Sequence, residues 1–363
     1  MKAAIFYGGK DIRIETVSNP DPEPRQVQVR VRAAGICGSD LHGYHATSVK
    51  LGLPRRGGHE LTGVVSAISE DVTQFQVGDR VVVEPTVPCG NCPECWNGNY
   101  NICSKLKHLG GSDSGGGFGE YMVAPVGNTY LLPDNVTFEA GALAEVYAVA
   151  VHALSRVPVQ PGDLVAVIGS GPVGLTIAQM ADLAGARSVI ILGKPDQPLQ
   201  ISQELMGCEV INVDTSDPVE AVKRWSGNRG ANVVFEAVRG RSNTLQQATE
   251  IAAKRGRICI VGGHTSPIIF SDHSARSREL TVSWAFCYGR RDGQKEFQVA
   301  IELLSAGKLN PMPLITPRFP LSEIGQAFEV AAGRQEHGSI KVLILPLSVI
   351  ESLVRRNLCF LAD

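Results

Sequence analysis

Apolar and polar positions alternate in two different ways along this chain. In the first 150 residues, short β-branched runs alternate with turn residues, as in segments 27–31, 63–66 and 80–83. From Leu164 onward, mainly apolar runs of four to six residues alternate with segments of helical spacing. The first pattern predicts an all-β, barrel-like domain. The second predicts an α/β domain with a doubly wound parallel sheet.

The second region is predicted to contain strands and helices in regular alternation. Its apolar runs have the length of strands, and the segments between them place apolar residues every three or four positions. The predicted strands are 164–168, 188–192, 210–213, 232–237 and 257–261, and the predicted helices are 172–184, 199–206, 219–225 and 245–253.

A glycine-rich turn joins the first strand of this region to its first helix. The letters GSGPVG place glycines at 169, 171 and 174. In this position the first glycine makes a tight turn, the second lets backbone amides approach a pyrophosphate, and the third lets the helix pack on the strand. The turn therefore predicts a dinucleotide site, with contacts from Gly169, Gly171, Pro172, Val173 and Gly174.

The end of the second strand bears on the choice between NAD and NADP. The acidic residue that usually binds the adenosine ribose is absent, and Gly193 and Lys194 stand there instead. A lysine attracts a 2′-phosphate, whereas a carboxylate repels it. These two residues favour NADP, although Asp196 is close enough in sequence to bind a ribose and restore a preference for NAD.

Composition and charge restrict the classes of function. The length of 363 residues is enough for about two domains. With 34 Lys and Arg against 36 Asp and Glu, the net charge is −2, so no positive field favours nucleic acid or an anionic membrane as a partner. The first residues lack the apolar run of a signal peptide, and no stretch approaches the ~20 apolar residues of a membrane span. A cytoplasmic protein is expected.

Four of the nine cysteines lie close together in PCGNCPECWNGNYNIC. Thiols stay reduced in the cytosol, so a disulfide framework is the weaker interpretation. Thiolates with this spacing on a turn-rich loop can converge on one tetrahedral ion. A closed structural zinc site is predicted, with free buried thiols as the alternative. Its ligands would be Cys89, Cys92, Cys95 and Cys103.

A second set of metal-binding residue types is dispersed along the chain. Cys37 lies in GICGSDLH, His59 and Glu60 lie in GGHE, and Glu145 lies in ALAEVYAVAVHA. Taken singly, these residues are also consistent with a small core residue, a hydrogen-bonded turn histidine and an acid at a helix start. Taken together, one thiol, one imidazole and one or two carboxylates suit a catalytic zinc with an open coordination position.

These motifs together resemble the zinc-dependent medium-chain alcohol dehydrogenases, on the branch of the sorbitol and threonine dehydrogenases. The likeness extends over nearly the whole chain and includes GGFGEYMVAP, LITPRFPLSEIGQAFEV and GSIKVLIL. It implies a GroES-like β-barrel catalytic domain over residues 1–148 and 291–363, with a Rossmann cofactor domain over 149–290. It also implies a homodimer or a homotetramer.

The resemblance implies a catalytic zinc held by the dispersed set. Cys37 and His59 correspond to its first two ligands, and Glu145 corresponds to the acidic third ligand. Glu60 corresponds to the acid beside the ligand histidine, which coordinates directly or through water. Asp40 resembles the carboxylate that accepts the free ring N–H of that histidine and so orients it.

The resemblance also implies how protons leave the site. Ser39 corresponds to the hydroxyl that binds the substrate oxygen, and His42 to the outer end of a proton relay, with His45 as the alternative. The implied reaction interconverts a secondary alcohol and its ketone by hydride transfer, with two zinc ions per chain and NADP or NAD. A polyol or sugar alcohol is the favoured small-molecule substrate.

Three departures from sorbitol dehydrogenases stand out; the first affects the local backbone, and the last two leave the substrate open. Val146 follows Glu145 where those relatives have proline, and Phe286-Cys287-Tyr288 replaces a Phe-Arg-Tyr motif whose arginine helps to hold a polyol. The tail 348–363 extends beyond the last strand of the family. A smaller secondary alcohol, bound in a pocket that contains Cys287 and Trp284, is therefore an alternative substrate. Two other classes of function are retained as alternatives. One is a zinc-free, NADPH-dependent quinone or enoyl reductase, and the other is a non-catalytic binding protein of the same fold.

Overall fold

The chain is described by a computed structural model over residues 1–45, 53–111, 115–194, 196–240, 243–268 and 270–345. The tail 348–363 that was singled out above lies outside the described residues. The chain divides into two compact units, which are Met1–Glu145 with Ile315–Asp363, and Val146–Leu314.

This division differs from the predicted domain boundaries, most clearly at residues 291–314. The sequence assigns these residues to the first domain, whereas the compact division groups them with the second unit. The ring of Phe297 lies 5.5 Å from that of Tyr288, and His152 Nδ1 lies 2.7 Å from Glu296 Oε2. These buried contacts attach the helix at 296–305 to the second unit.

The elements are numbered in chain order. The strands are β1 (Lys2–Gly8), β2 (Asp11–Thr16), β3 (Gln26–Gly35), β4 (Glu60–Ile68), β5 (Arg80–Val83), β6 (Thr86–Val87), β7 (Lys107–His108), β8 (Tyr121–Pro125), β9 (Thr129–Leu131), β10 (Leu164–Ile168), β11 (Ser188–Gly193), β12 (Glu209–Asn212), β13 (Ala231–Glu236), β14 (Ala252–Ile260), β15 (Thr281–Trp284), β16 (Arg290–Arg291), β17 (Gln294–Lys295), β18 (Ile315–Pro320) and β19 (Lys341–Leu345). The helices are α1 (Gly38–His45), α2 (Pro93–Trp96), α3 (Phe138–Ala142), α4 (Ala144–Arg156), α5 (Pro172–Leu183), α6 (Asp196–Met206), α7 (Pro218–Trp225), α8 (Thr244–Ile251), α9 (Asp272–Ser277), α10 (Glu296–Ser305), α11 (Ile324–Ala332) and α12 (Arg334–His337).

The first unit is built on a seven-stranded, mainly antiparallel sheet. Its order is β18-β19-β3-β4-β5-β9, and β8 pairs with residues 26–30 of β3, whereas β19 pairs with Ala34 and Gly35 of the same strand. The predicted strands 27–31, 63–66 and 80–83 lie within β3, β4 and β5, so the β prediction for this region is confirmed. Apolar side chains on alternate positions pack inward, where the ring of Phe328 contacts those of Phe6 and Phe118.

The second unit contains a parallel six-stranded sheet in the order β12-β11-β10-β13-β14-β15. This is the doubly wound arrangement, and the order reverses between β10 and β13, where ligands commonly bind at the carboxyl ends of the strands. The predicted alternation is confirmed. One boundary differs, because the predicted helix 245–253 ends at Ile251 and Ala252 instead pairs with Ala231 of β13. The strand pairing overrides the helical propensity of the alanines there.

No helix among the described residues is both long enough and apolar enough to cross a membrane.

Candidate metal and cofactor sites

Two groups of side chains bring metal-binding atoms together within the described parts of the chain. One group is Cys89, Cys92, Cys95 and Cys103, and the other is Cys37, His59 and Glu60. Within each group, one ligand atom from every residue lies within 4.8 Å of those from the others.

The four-cysteine group has the dimensions of a zinc–thiolate site. Cys92 Sγ lies 3.4 Å from Cys95 Sγ and 3.8 Å from Cys103 Sγ, and Cys89 Sγ lies 4.0 Å from Cys95 Sγ. A tetrahedral ion with Zn–S bonds of about 2.3 Å requires sulfur atoms about 3.8 Å apart. The donor set and its spacing therefore fit a zinc ion with four protein ligands.

Backbone amides help this group to hold negative charge. The N–H groups of Cys89 and Lys105 each donate to Cys103 Sγ over 3.4 Å. The hydrogen bond from Cys89 lowers the pKa of the Cys103 thiol most, and with that from Lys105 it brings the pKa to about 6. The Cys103 thiol is therefore deprotonated readily, which is the state that binds a metal ion, whereas burial raises the pKa of Cys95 to about 12.

The second group is assembled by the pairing of β3 with β4. In this register Gly35, at the end of β3, lies opposite Glu60, at the start of β4. A Cβ atom on Gly35 would overlap Glu60 Oε2, so the glycine leaves room for the carboxylate. Cys37 follows β3 directly and His59 directly precedes β4, so the same register brings the thiol and the imidazole together.

Asp40 connects the two loops of this group. Its carboxylate accepts hydrogen bonds from Cys37 N at 2.9 Å and Gly58 N at 3.5 Å, and its Oδ1 lies 3.7 Å from His59 Nδ1. Burial raises the pKa of Asp40, but the charge and hydrogen bond of His59 outweigh it and the pKa lies below its ordinary value. Asp40 is thus placed to orient His59.

The field at His59 favours positive charge. Burial lowers the pKa of His59, but the charges of Asp40 and Cys37 outweigh burial and hold the pKa well above its ordinary value. Because Nδ1 faces Asp40, the other ring nitrogen faces the group. A site that stabilises a positive charge among a thiol, an imidazole and a carboxylate fits a zinc ion.

The predicted proton relay lies on α1. Ser39 Oγ lies 3.4 Å from His59 Nε2, so the hydroxyl borders the metal-binding group. His42 follows Ser39 by three residues, which places it on the same side of the helix, and its side chain is exposed. His45 is also exposed, at the end of α1.

Glu60 is neutralised by a residue that the sequence analysis missed. Lys341 Nζ, on β19, donates to both carboxylate oxygens of Glu60 at 2.6 Å and to Ile36 O at 3.1 Å. The side chains of Lys341 and Glu60 are 2% and 1% exposed, so the pair is fully buried. A lysine in an otherwise apolar strand, IKVLIL, is the signal that could have revealed it.

Arg334 was also missed. Its Nε is buried without a hydrogen-bond partner among the described residues. Burial lowers the pKa of Arg334, while Cys37 and Glu60 raise it through their charges. The guanidinium therefore adds positive potential near the group, and spacing along the sequence offers no sign of this.

Glu145 lies near this group but outside it. Among the described residues, the ligand atoms that lie within 4.8 Å of one another come from Cys37, His59 and Glu60 and not from Glu145. Burial raises the pKa of Glu145 to about 7, while His59 and Glu60 act on it with opposite signs. A buried carboxyl group with a pKa near neutrality is typical of functional sites.

His108 is a third residue that the sequence analysis missed. Its ring centroid lies 5.9 Å from that of His59, with the two planes at 86°. Burial, and after it the charge of His59, lower the pKa of His108 to about 4.

The glycine-rich turn has the shape of a phosphate cradle. Gly169 has φ +114°, which favours glycine, and α5 begins with Pro172 directly after Gly171. A Cβ atom on Gly174 would overlap Gly169 O, so only glycine lets the helix approach the strand so closely. Each predicted glycine therefore has a position that suits dinucleotide binding.

At the end of β11, the charged side chains that bear on cofactor choice contact other residues of the chain. A Cβ atom on Gly193 would overlap Ser170 Oγ. Lys194 Nζ lies 3.1 Å from Asp214 Oδ1, and both side chains are about half exposed. Asp196 Oδ1 accepts a hydrogen bond from Asn212 Nδ2 at 2.6 Å. Lys194 and Asp196 thus already have partners.

The departures from the sorbitol dehydrogenase pattern lie in ordered parts of the second unit. Val146 is buried within α4, Cys287 is half-buried, and Trp284 and Phe286 are 58% and 57% exposed.

Comparison with known families agrees with these sites. Residues 23–134 match the family model for the alcohol dehydrogenase GroES-like domain, and residues 172–306 match the model for zinc-binding dehydrogenases. The chain is 32% identical over 352 residues to sorbitol dehydrogenase of Bacillus subtilis, a match that covers 95% of this chain and 97% of the relative.

The chain belongs to the zinc-binding alcohol dehydrogenase family. Two solved structures in this family support the nicotinamide cofactor. An alcohol dehydrogenase from E. coli CFT073 in complex with NADH has a TM-score of 0.86 and 30% identity, covering 95% of this chain and 99% of that one. A structure from Sinorhizobium meliloti 1021, described as a zinc-binding dehydrogenase bound to NADP, has a TM-score of 0.85 and 28% identity, with the same coverage.

Membership of this family confirms the predicted class of enzyme. The chain is an oxidoreductase of the zinc-dependent alcohol and polyol dehydrogenase type, with a GroES-like domain and a Rossmann-type parallel sheet. The zinc-binding family model and the two donor sets disfavour the zinc-free reductase alternative.

Proposed function

We propose that this enzyme interconverts a polyol or sugar alcohol and the corresponding ketone, with NADP as the preferred cofactor and two zinc ions per chain. The single observation that carries this proposal is the convergence of Cys37, His59 and Glu60, with Ser39 Oγ 3.4 Å from His59 Nε2. This arrangement joins a metal-binding set to a hydroxyl that can exchange a proton with a substrate.

The two donor sets have separate roles. The four cysteines would hold a structural zinc and fix their loop. Cys37, His59 and Glu145 would hold the reactive zinc, with Glu60 beside them on its Lys341 partner. Glu145 is buried and experiences the charges of His59 and Glu60, which supports its place in the set.

When bound, zinc supplies a Lewis acid for the substrate oxygen and the dinucleotide supplies the hydride acceptor. The residues of the chain control the proton. Ser39 would take the hydroxyl proton of the substrate as it releases its own hydroxyl proton to the relay, and His42, on the exposed side of α1, would release a proton to solvent at the outer end of that relay. Asp40 holds His59 in one orientation throughout.

The substrate class is tested with a panel of polyols, ketoses and simple secondary alcohols, each assayed with NAD and with NADP. Turnover of polyols above that of simple secondary alcohols is expected. Turnover of simple secondary alcohols alone would contradict the polyol assignment. Tight binding of NAD(P)H without turnover of any compound would favour a non-catalytic binding protein instead.

The preference for NADP rests on Gly193 and Lys194. Replacing Lys194 with Asp is expected to lower the ratio of kcat/KM for NADP over NAD by about tenfold, because the new carboxylate repels a 2′-phosphate. Asp214→Asn is the opposing variant, since it removes the partner of Lys194 and is expected to raise the same ratio. An unchanged ratio in both variants would show that Lys194 does not bind the phosphate.

We further propose a homodimer or homotetramer. β15 lies at one end of the six-stranded sheet; its last residue, Trp284, is exposed, and so is Phe286 just after it. An edge strand with exposed aromatic side chains is suited to pairing with a second copy. Light scattering would measure the mass, and a monomer at micromolar concentration would contradict this part of the proposal.

A further inference from the structure

A small cavity lies at the amino ends of three neighbouring strands in the sheet of the second unit, and none of the roles described above uses it. Its volume is about 150 Å³. A cavity of about 10–15 Å³ is enough for one water molecule, so this one has room for a tetrahedral anion. The residues that line it are Gly162, Leu164, Arg187, Arg229, Gly230 and Asn232.

The strand order places one arginine on each side of this cavity. β10 lies between β11 and β13, and Leu164 at its start pairs with Ser188 at the start of β11. Arg187 directly precedes β11, and Arg229 lies two residues before β13. Neighbouring strands are about 4.8 Å apart, so the starts of β11 and β13 are about 10 Å apart. Two long side chains can therefore close on one ligand from opposite sides.

Hydrogen-bond donors on these side chains are available to a ligand. Arg187 is exposed, and within the described parts of the chain its guanidinium makes no hydrogen bond or ion pair. Arg229 Nε donates to Ser226 O at 3.3 Å, which leaves its two terminal nitrogens. Asn232 Oδ1 accepts from Leu164 N at 2.9 Å, so the amide nitrogen of Asn232 remains as a donor.

The charge around the cavity is positive. Asp163, between two lining residues in the chain, is the acidic residue closest to them in sequence. Its Oδ2 accepts hydrogen bonds from Arg257 Nη2 at 2.6 Å and from Gln160 N at 2.8 Å. Because Arg257 neutralises Asp163, this carboxylate does not compensate the charges of Arg187 and Arg229.

We propose that this cavity is a second anion site, in which Arg187, Arg229 and Asn232 bind a phosphate group, either free or as a monoester. Guanidinium groups bind phosphate through paired, charge-assisted hydrogen bonds. A dianion with at least three acceptor oxygens matches two cations and one amide that approach it from different sides. The predicted dinucleotide site is at the other end of β10, about 17 Å away, because five residues of strand separate the two ends.

The test titrates inorganic phosphate into the zinc-loaded enzyme at low ionic strength, where screening is weak, and measures the heat of binding. Saturating NAD(P)H fills the dinucleotide site beforehand. We expect one phosphate per chain with a Kd of about 1 mM. Arg187→Ala and Arg229→Ala should each raise this Kd by about tenfold, because each removes charged hydrogen bonds. Arg187→Lys keeps the charge and should recover part of the loss.

Arg276→Ala is the matched control, because it removes the same charge from an exposed arginine of the second unit, on α9. Its Kd for phosphate should equal that of the unmodified enzyme. Arg187→Ala should also retain the Tm and the Kd for NAD(P)H, since the Arg187 side chain bonds no other residue in the described chain.

Glycerol 3-phosphate, titrated in the same way, distinguishes the two sources of the phosphate group. Binding tighter than that of inorganic phosphate would identify a monoester as the ligand, and weaker binding would identify free phosphate.

Three results would overturn the proposal. The first is that neither compound binds the unmodified enzyme. The second is that binding persists in both Arg187→Ala and Arg229→Ala, or weakens as much in Arg276→Ala, which would indicate a response to net charge alone. The third is a Kd for NAD(P)H that rises together with that for phosphate in Arg187→Ala, which would place the phosphate in the dinucleotide site.

Discussion

The two metal-binding groups differ in how the chain assembles them. The four cysteines lie on one loop, where turns and the short helix α2 bring their sulfur atoms together. Cys37, His59 and Glu60 meet because β3 pairs with β4 in one register, with Gly35 opposite Glu60. The first group depends on local geometry alone, whereas the second depends on the tertiary fold of the unit.

They also differ in their surroundings. Cys89, Cys92 and Cys95 are only half-buried. The other group is enclosed by charged side chains, among them Asp40, the buried Lys341 and Arg334. Buried charge of both signs is typical of reactive sites, whereas a half-exposed set of four like ligands suits a structural ion. The comparison therefore supports the proposal that Cys37, His59 and Glu60 belong to a reactive site and the four cysteines to a structural one.

The largest expected effect tests this assignment directly. Cys37→Ser should lower kcat by about a thousandfold or more, because it disrupts the metal set that activates the substrate. Binding of NAD(P)H, measured by fluorescence, should persist because the glycine-rich turn is untouched. Cys208→Ser, a buried thiol outside both groups, is the control and should retain activity. Full turnover in Cys37→Ser would refute the assignment.

Cys95→Ser should produce the opposite pattern. Loss of one ligand of the four-cysteine group is expected to remove about one zinc per chain and to lower Tm, because a structural ion stabilises its loop. The kcat of the folded fraction should change less than about twofold. Zinc analysis, thermal unfolding and kinetics are measured on the same preparation. A large fall in kcat with unchanged Tm would reverse the roles of the two groups.

A smaller effect is expected from the buried ion pair of the reactive group. Lys341→Met leaves the Glu60 carboxylate buried without its cation, and we expect a loss of about 3–5 kcal/mol in the free energy of unfolding. Adding Glu60→Gln should recover much of it. Urea denaturation measures the change. The control is Arg13→Met, which breaks an exposed pair with Asp11 and should cost about 1 kcal/mol or less. Equal losses of unfolding free energy in Lys341→Met and Arg13→Met would show that the buried pair contributes no more to stability than the exposed pair.

The regular elements could be predicted from the sequence because their patterns are local. Strands such as 164–168 and 80–83 have the predicted bounds, and the glycine-rich turn lies between β10 and α5 as expected. The four cysteines were found for the same reason, since their spacing lies within one loop. Helix α8 ends two residues early because Ala252 pairs with a distant strand, which a local pattern cannot show.

The dispersed site could be predicted only in part. The residue types suited to metal binding were recognised, and the family resemblance indicated that they act together. The register of β3 and β4, which brings them together, depends on the tertiary fold and cannot be predicted from a local pattern. Lys341 is 281 residues from Glu60 along the chain, and no spacing rule connects them. His108 lies 49 residues after His59 and approaches it only because the Gly110 segment packs on Gly58.

The close packing of Gly193 on Ser170 constrains how this enzyme can evolve. A carboxylate at position 193 is the simplest way to recruit NAD, yet any side chain there would collide with the hydroxyl of Ser170. Such a change would need a smaller residue at 170 first, within the turn that is predicted to hold the pyrophosphate. A change of cofactor at position 193 therefore requires two coupled mutations, whereas the exposed positions 194 and 214 could change one at a time.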